Sequence, residues 1–148
     1  MYPIQHPTRK ACLALVLVPA LTLSAIGSAA AADLTVRIED VPSAQGSIMV
    51  AVYDAPGNFL HRPVQSARAD AAVGSVDVVI KDLPAGGYGI AVFHDANGNG
   101  KMDSNVMGIP VEDHAFSNNA RGTMGPPTFE QVKFSLPAAG ATARISLR

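Results

Sequence analysis

From Asp33 onward, apolar and polar residues alternate in short runs bounded by Gly, Pro and Asp, and no run carries the stripe of an amphipathic helix. That period places successive side chains on opposite faces of extended chain. In "DLTVRIEDV", Leu34, Val36 and Ile38 share one face and Thr35, Arg37 and Glu39 the other, before "PSAQG" turns the chain. "SIMVAVYD" sets Ile48, Val50 and Val52 on one side. Its other side, Met49, Ala51 and Tyr53, is also largely apolar, which predicts a central strand covered on both faces. "APGNFLHRP" reads as a loop. Residues 64–72 admit a strand or a short helix and are assigned as irregular edge structure. "SVDVVIKD" points Val76, Val78 and Ile80 inward, and "LPAGG" turns it into "YGIAVFHD", a pair that predicts a hairpin. Two last strands, "FEQVKFSL" and "ATARISLR", direct Val132, Phe134 and Leu136, then Ala143, Ile145 and Leu147, inward and are joined by "PAAG". The pattern predicts an all-β fold: a single-domain, two-sheet antiparallel sandwich of immunoglobulin-like or transthyretin-like type, with a small barrel as the alternative.

The start of the chain breaks this pattern. Arg9 and Lys10 precede an apolar run from Ala11 to Ile26 that ends in "GSAAAAD". A basic start, a short apolar core and small residues at Ala30 and Ala32 describe a secretory signal peptide over residues 1–32, cut before Asp33. The run is short for a membrane span. Cys12 lies within it, behind Arg9-Lys10-Ala11, a context unlike that of a lipid-modified cysteine. The expected location is therefore periplasmic or secreted, with no membrane span in the mature protein. The mature part, residues 33–148, keeps 116 of the 148 residues, enough for one domain. It has no cysteine, which excludes disulfides, thiol catalysis and thiolate metal sites there. Of the 11 basic residues, nine remain against 12 acidic ones, a net charge near −3. No basic cluster is present to track a phosphate backbone, so nucleic acid is not an expected partner.

One segment has no strand period. Residues 95–128 form a long loop, whereas connections in compact domains run to about four to six residues. Its first part, "DANGNGKMD", spaces oxygen ligands at alternate positions. Asp95, Asn97, Asn99, the Lys101 carbonyl and Asp103 fit places one, three, five, seven and nine of a calcium loop, with Gly100 at the tight turn. Place twelve requires a bidentate glutamate, and Val106 stands there. A strand precedes the loop and no helix follows, which rejects a helix-loop-helix pair. Asp54, Glu112 and Asp113 are the candidates for the missing oxygen. Asp54 ends "VAVYD" as Asp95 ends "AVFHD", and if the two strands run the same way both aspartates fall at one end of the sandwich. The bland reading is a series of polar turns, since Asn and Gly tolerate left-handed backbone without an ion.

A rival metal chemistry would use His61, His94 and His114, with Met102 and Met107 as soft ligands, for copper or zinc. Their spacing matches no defined motif. Ser104 and Ser117 lack the context of an activated nucleophile, and the carboxylate pairs Glu112-Asp113 and Asp95-Asp103 suit turns or cations better than acid–base work, so an enzyme is not favoured. "FSNNARGTMGPPTFE" carries Phe116 and Phe129 as apolar anchors and reads as a lid held by the bound ion, or alternatively as a binding rim.

The run "LPAGGYGIAVFHDANGNGKMDSNVMGIPVEDHAFSNNA" resembles the signature of the bacterial secreted proteins grouped as domain of unknown function family 2141 (DUF2141). The matching elements are Leu83-Pro84, Tyr88 to Ile90, His94 to Gly100, Gly108 to Pro110 and Phe116 to Asn119. Gly89 stands where alanine is usual, and "VEDH" replaces a more usual Lys-Glu-Gly-Tyr-like run; neither touches Asp95, Asn97, Asn99 or Asp103. The resemblance implies an exported β-sandwich and no assigned activity. The combined expectation is an exported binding or structural module with a calcium loop, acting on an envelope protein, a glycan or a small ligand.

Overall fold

The structure, a computed structural model, describes residues 31–148. The predicted leader lies outside the described residues except for Ala31 and Ala32, which open the first strand. The elements in order are β1 (Ala31–Val41), β2 (Ser47–Tyr53), β3 (Gln65–Asp70), β4 (Gly74–Pro84), β5 (Gly86–Asp95), β6 (His114–Phe116), the short helix α1 (Phe129–Val132), β7 (Phe134–Leu136) and β8 (Ala141–Ser146). They form an all-β sandwich of two sheets. One sheet has the order β4-β1-β8; the other runs β3-β2-β5-β6, with β7 also paired to β5.

The alternating apolar residues meet between the sheets. Leu34, Val36 and Ile38 of β1, with Val78 and Ile80 of β4, face Ile48, Val50 and Val52 of β2 and Ile90 and Val92 of β5 in one buried cluster. Ile145 and Leu147 close it from β8 and the residue beyond. At roughly 1.5–3 kcal/mol for each fully buried aliphatic side chain, this layer is the main force holding the sheets together.

Three expectations about pairing are corrected. Although β4 and β5 are separated only by Ala85, they are not a hairpin: β4 pairs with β1, and β5 pairs with β2 in the other sheet. "LPAGG" is an arch that carries the chain across the core. Hairpin and arch both bury alternate residues, so the alternation itself does not separate them. Nor do β7 and β8 pair, because β8 joins β1 in parallel, Leu34 opposite Ala141 through Glu39 opposite Ser146, which makes the sandwich mainly rather than wholly antiparallel. Residues 65–70 form a regular edge strand along β2. Its inward positions, Gln65, Ala67 and Ala69, are small or polar, which hides the alternation.

The second sheet is covered on both faces, as β2 predicts. On its outer side Tyr53, Phe59, Phe129 and Val132 form a smaller core, with Phe59 at the centre: its ring lies 5.3 Å from Tyr53, 5.9 Å from Phe129 and 6.1 Å from Phe116. Phe129 and Val132 reach this core from α1, so "FEQV" is one helical turn, not the start of a strand. The sequence held a signal for it in Thr128 and Gln131, whose spacing is that of a capping box. The Thr128 N–H donates to Gln131 Oε1 at 2.8 Å and the Gln131 N–H to the Thr128 carbonyl at 3.1 Å.

Candidate functional site

Strand β5 delivers Asp95 to the end of the sandwich. Its side chain is 1 % exposed, and both carboxylate oxygens accept backbone N–H groups, Oδ1 from Asn99 at 3.0 Å and Oδ2 from Gly100 at 2.8 Å. Among the described residues no Lys, Arg or His forms an ion pair with it. Around it the chain winds through alternate Asx turns: Asn97 Oδ1 accepts from the Asn99 N–H at 3.0 Å, and Asn99 Oδ1 from the Lys101 N–H at 2.8 Å. Gly98 and Gly100 take the left-handed backbone these turns need, with φ of 75° and 74°.

The winding brings Asp103 back to the asparagines. The Asn97 amide donates to Asp103 Oδ2 at 2.6 Å, and the Asn99 amide to both Asp103 oxygens at 3.0 Å. Asp103 is also braced from outside the loop, its N–H donating to Glu112 Oε2 at 3.0 Å and its carbonyl accepting from the Val111 N–H at 2.9 Å. Of the candidates for an extra oxygen, the structure thus brings Glu112 to the loop. Asp113 meets the base of the loop only through its carbonyl, which accepts from the His94 N–H at 2.9 Å. Asp54 is a correction. Because β2 and β5 run antiparallel, Ser47 lies opposite Asp95 and Tyr53 opposite Gly89, so Asp54 sits at the far end of the sandwich. There it accepts from the Asn58 amide at 3.2 Å and, with Tyr88, lines a small cleft of about 270 Å³. Val106, at the place of the expected glutamate, is fully exposed in a turn that Asn105 holds through the N–H groups of Met107 and Ile109.

The three histidines do not converge. His94 is buried on the inner face of β5, its Nε2 donating to the Gln45 carbonyl at 2.7 Å. His114, on β6, pairs with Phe93 of β5 and directs Nδ1 to the Glu112 carbonyl at 3.0 Å. His61 is exposed in the turn after β2. Among the described residues no three His, Cys, Asp or Glu side chains form a preassembled metal cluster.

Beyond Glu112 the segment is ordered by its own polar groups. Ser117 Oγ is buried, donating to the Val132 carbonyl and accepting from the Ile90 N–H at 2.9 Å. The Asn118 amide donates to the carbonyls of Gln131 and Lys133 at 3.1 and 2.9 Å, and Asn119 Oδ1 accepts from the Ser146 N–H at 2.9 Å. "SNN" is therefore a clip that ties β5, α1 and β8 to one turn, and the segment lies over the outer face of the second sheet, not across the end of the sandwich.

The sequence model of one bacterial family, described as an uncharacterized protein conserved in bacteria, matches residues 36–144. No curated protein and no solved structure matches the chain. Among the described residues no helix is long and apolar enough to cross a membrane.

Proposed function

From the premise that the chain belongs to the bacterial family DUF2141, we propose that it is an exported binding or structural module whose end loop is organised by a calcium ion. The ligands are oxygens of Asp95, Asn97, Asn99, Asp103 and the Lys101 carbonyl, with Glu112 supplying the carboxylate that Val106 does not. The ordered loop then presents a surface to an envelope protein, a glycan or a small ligand. The observation that carries this reading is Asp95: a carboxylate 1 % exposed, held by two N–H groups and by no cationic side chain among the described residues. Buried charges are ordinarily paired or bound to a metal. The ring of Asn97, Asn99 and Asp103 beside it supports a hard cation, since each amide can turn its oxygen toward a shared centre. A location outside the cytoplasm is supported by the leader pattern of residues 1–32.

Calorimetric titration with calcium tests it. A dissociation constant of about 10⁻⁴ to 10⁻³ M is expected, as for extracellular modules with few carboxylates. Absence of heat at millimolar calcium, together with an unchanged melting temperature, overturns the reading. Elemental analysis of the purified protein adds a second check, because copper or zinc in place of calcium would favour the histidine chemistry instead.

A further inference from the structure

The outer face of the second sheet holds a second feature. At mid-strand its outward positions are small: Ala51 and Ala91 are direct cross-strand partners, and Ala91 in turn pairs with Phe116. Phe59 and α1 cover only part of this face. Residues 102–110 and 119–127 supply most of the remaining lining of an open groove of about 1180 Å³, somewhat larger than a typical small-molecule site. Met107 and Met124, on these two segments, are 79 % and 103 % exposed, and Ile109 beside Met107 is more than half exposed. Contiguous exposed apolar surface of this kind marks a binding site more often than a solvated face. Unbranched methionines also adapt their shape to an apolar guest.

Charge and backbone pairing narrow the guest. The charged side chains lining the groove are Arg121 and Arg148, with no Asp or Glu among the described lining residues. In a chain with 12 acidic and 11 basic residues that separation favours an anion. The strands of the floor are already paired: β5 is flanked by β2 and β6, and the His114 N–H donates to the Arg148 carbonyl at 3.2 Å. A guest therefore finds apolar surface and a cationic rim, not an open strand edge of the sort that captures extended peptides. We infer that the groove binds a long-chain fatty acid, its alkyl tail over Ala51, Ala91 and Phe116 and its carboxylate at Arg121 and Arg148. The groove shares residues 102–110 with the segment that follows the cation loop, but the inference does not rest on calcium being bound.

Displacement of a fluorescent polyene fatty acid from the purified protein tests the inference. Palmitate is used as competitor, and hexadecanol as its uncharged counterpart. Palmitate displaces the probe with an apparent constant of about 10 µM or below, and hexadecanol is about tenfold or more weaker. Arg121→Glu lowers palmitate affinity to that of hexadecanol and leaves hexadecanol unchanged. Met107→Asp, at an exposed position that the fold does not need, weakens both by about tenfold. Circular dichroism of each variant matches the parent. Failure of the probe to bind, hexadecanol binding as well as palmitate, or palmitate indifferent to both substitutions overturns the site.

Discussion

Tyr88 connects burial to a charge at the far end of the sandwich. Its ring is 7 % exposed and its hydroxyl donates to the Pro84 carbonyl at 2.8 Å, bracing the arch between the sheets. Burial raises its pKa above the ordinary 10.0, and the negative charge of Asp54 adds to that. Tyr53 is raised by burial as well. The folded protein therefore keeps these protons at a pH where the unfolded chain has lost them. Their contribution to stability is complete below pH 10.0 and is lost as pH rises through the folded-state values. Tyr88→Phe should lower stability by about 1 kcal/mol near neutrality, and should lose less than the parent when urea melts at about pH 8 and about pH 10.5 are compared. An equal alkaline loss in both proteins would contradict the assignment. Gly89 next to it answers to space. A Cβ there would lie 2.7 Å from Val132 Cγ2 and 3.2 Å from the Phe129 ring, so α1 packs directly on the bare backbone where the family resemblance leads one to expect alanine. Gly89→Ala is expected to cost about 1–3 kcal/mol in a denaturant melt. Gly57→Ala, with nothing within 4 Å of the added methyl, serves as the neutral control.

Among the elements, those read most directly from the sequence are the ones whose inward residues are large. Leu34, Val36 and Ile38, or Ile48, Val50 and Val52, announce both a strand and its buried face. Partner choice is not encoded in that period, which is why the arch at Ala85 and the parallel pairing of β8 differ from the expected hairpins. The same limit applies to the candidate site. Ligand spacing from Asp95 to Asp103 is legible along the chain, whereas Glu112 reaches Asp103 only because residues 104–110 fold back, with Ser104 bridged to Pro110, and bring it home. The condition that would bring Asp54 beside Asp95, two strands running the same way, fails because β2 and β5 are antiparallel, and strand direction is a property of the whole sheet. Two element-scale outcomes follow. Asp95→Ala combined with Asp103→Ala should expose residues 96–112 to proteases while the sandwich core and the clip at Ser117 stay resistant, and a chelator should do the same to the parent protein. Unchanged cleavage patterns, with and without chelator, would argue that hydrogen bonds alone order the loop. Ser117→Ala removes the donor to Val132 and leaves the Ile90 N–H unpaired in a buried position. It should lower global stability by about 1–3 kcal/mol without altering calcium binding, since the clip is tied to β5, α1 and β8 rather than to the ion.

At the scale of the molecule, the eight strands of the described residues carry one long irregular segment after β5, and both candidate sites draw on it. Residues 95–103 and Glu112 form the proposed cation end, and residues 102–127 supply much of the groove on the outer face. The buried cluster between the sheets includes no residue between Asp95 and Asp113, so if the proposed ion orders that segment, its removal should loosen it without unfolding the sandwich. The effect of binding on global stability is then set by linkage alone. With calcium tenfold above a dissociation constant of about 10⁻⁴ M, the folded state gains about 1.4 kcal/mol, which for a domain of this size raises the melting temperature by about 5 °C. Magnesium should give a smaller shift, because it demands a tighter octahedral shell and keeps its own water. Asp95→Asn preserves the acceptor for the Asn99 N–H but sets an NH2 against the Gly100 N–H, so its own melting temperature should fall and its response to calcium should vanish. Scanning calorimetry of both proteins across a calcium series separates the alternatives. A parent that responds and a variant that does not place the ion at Asp95, while equal responses place it elsewhere.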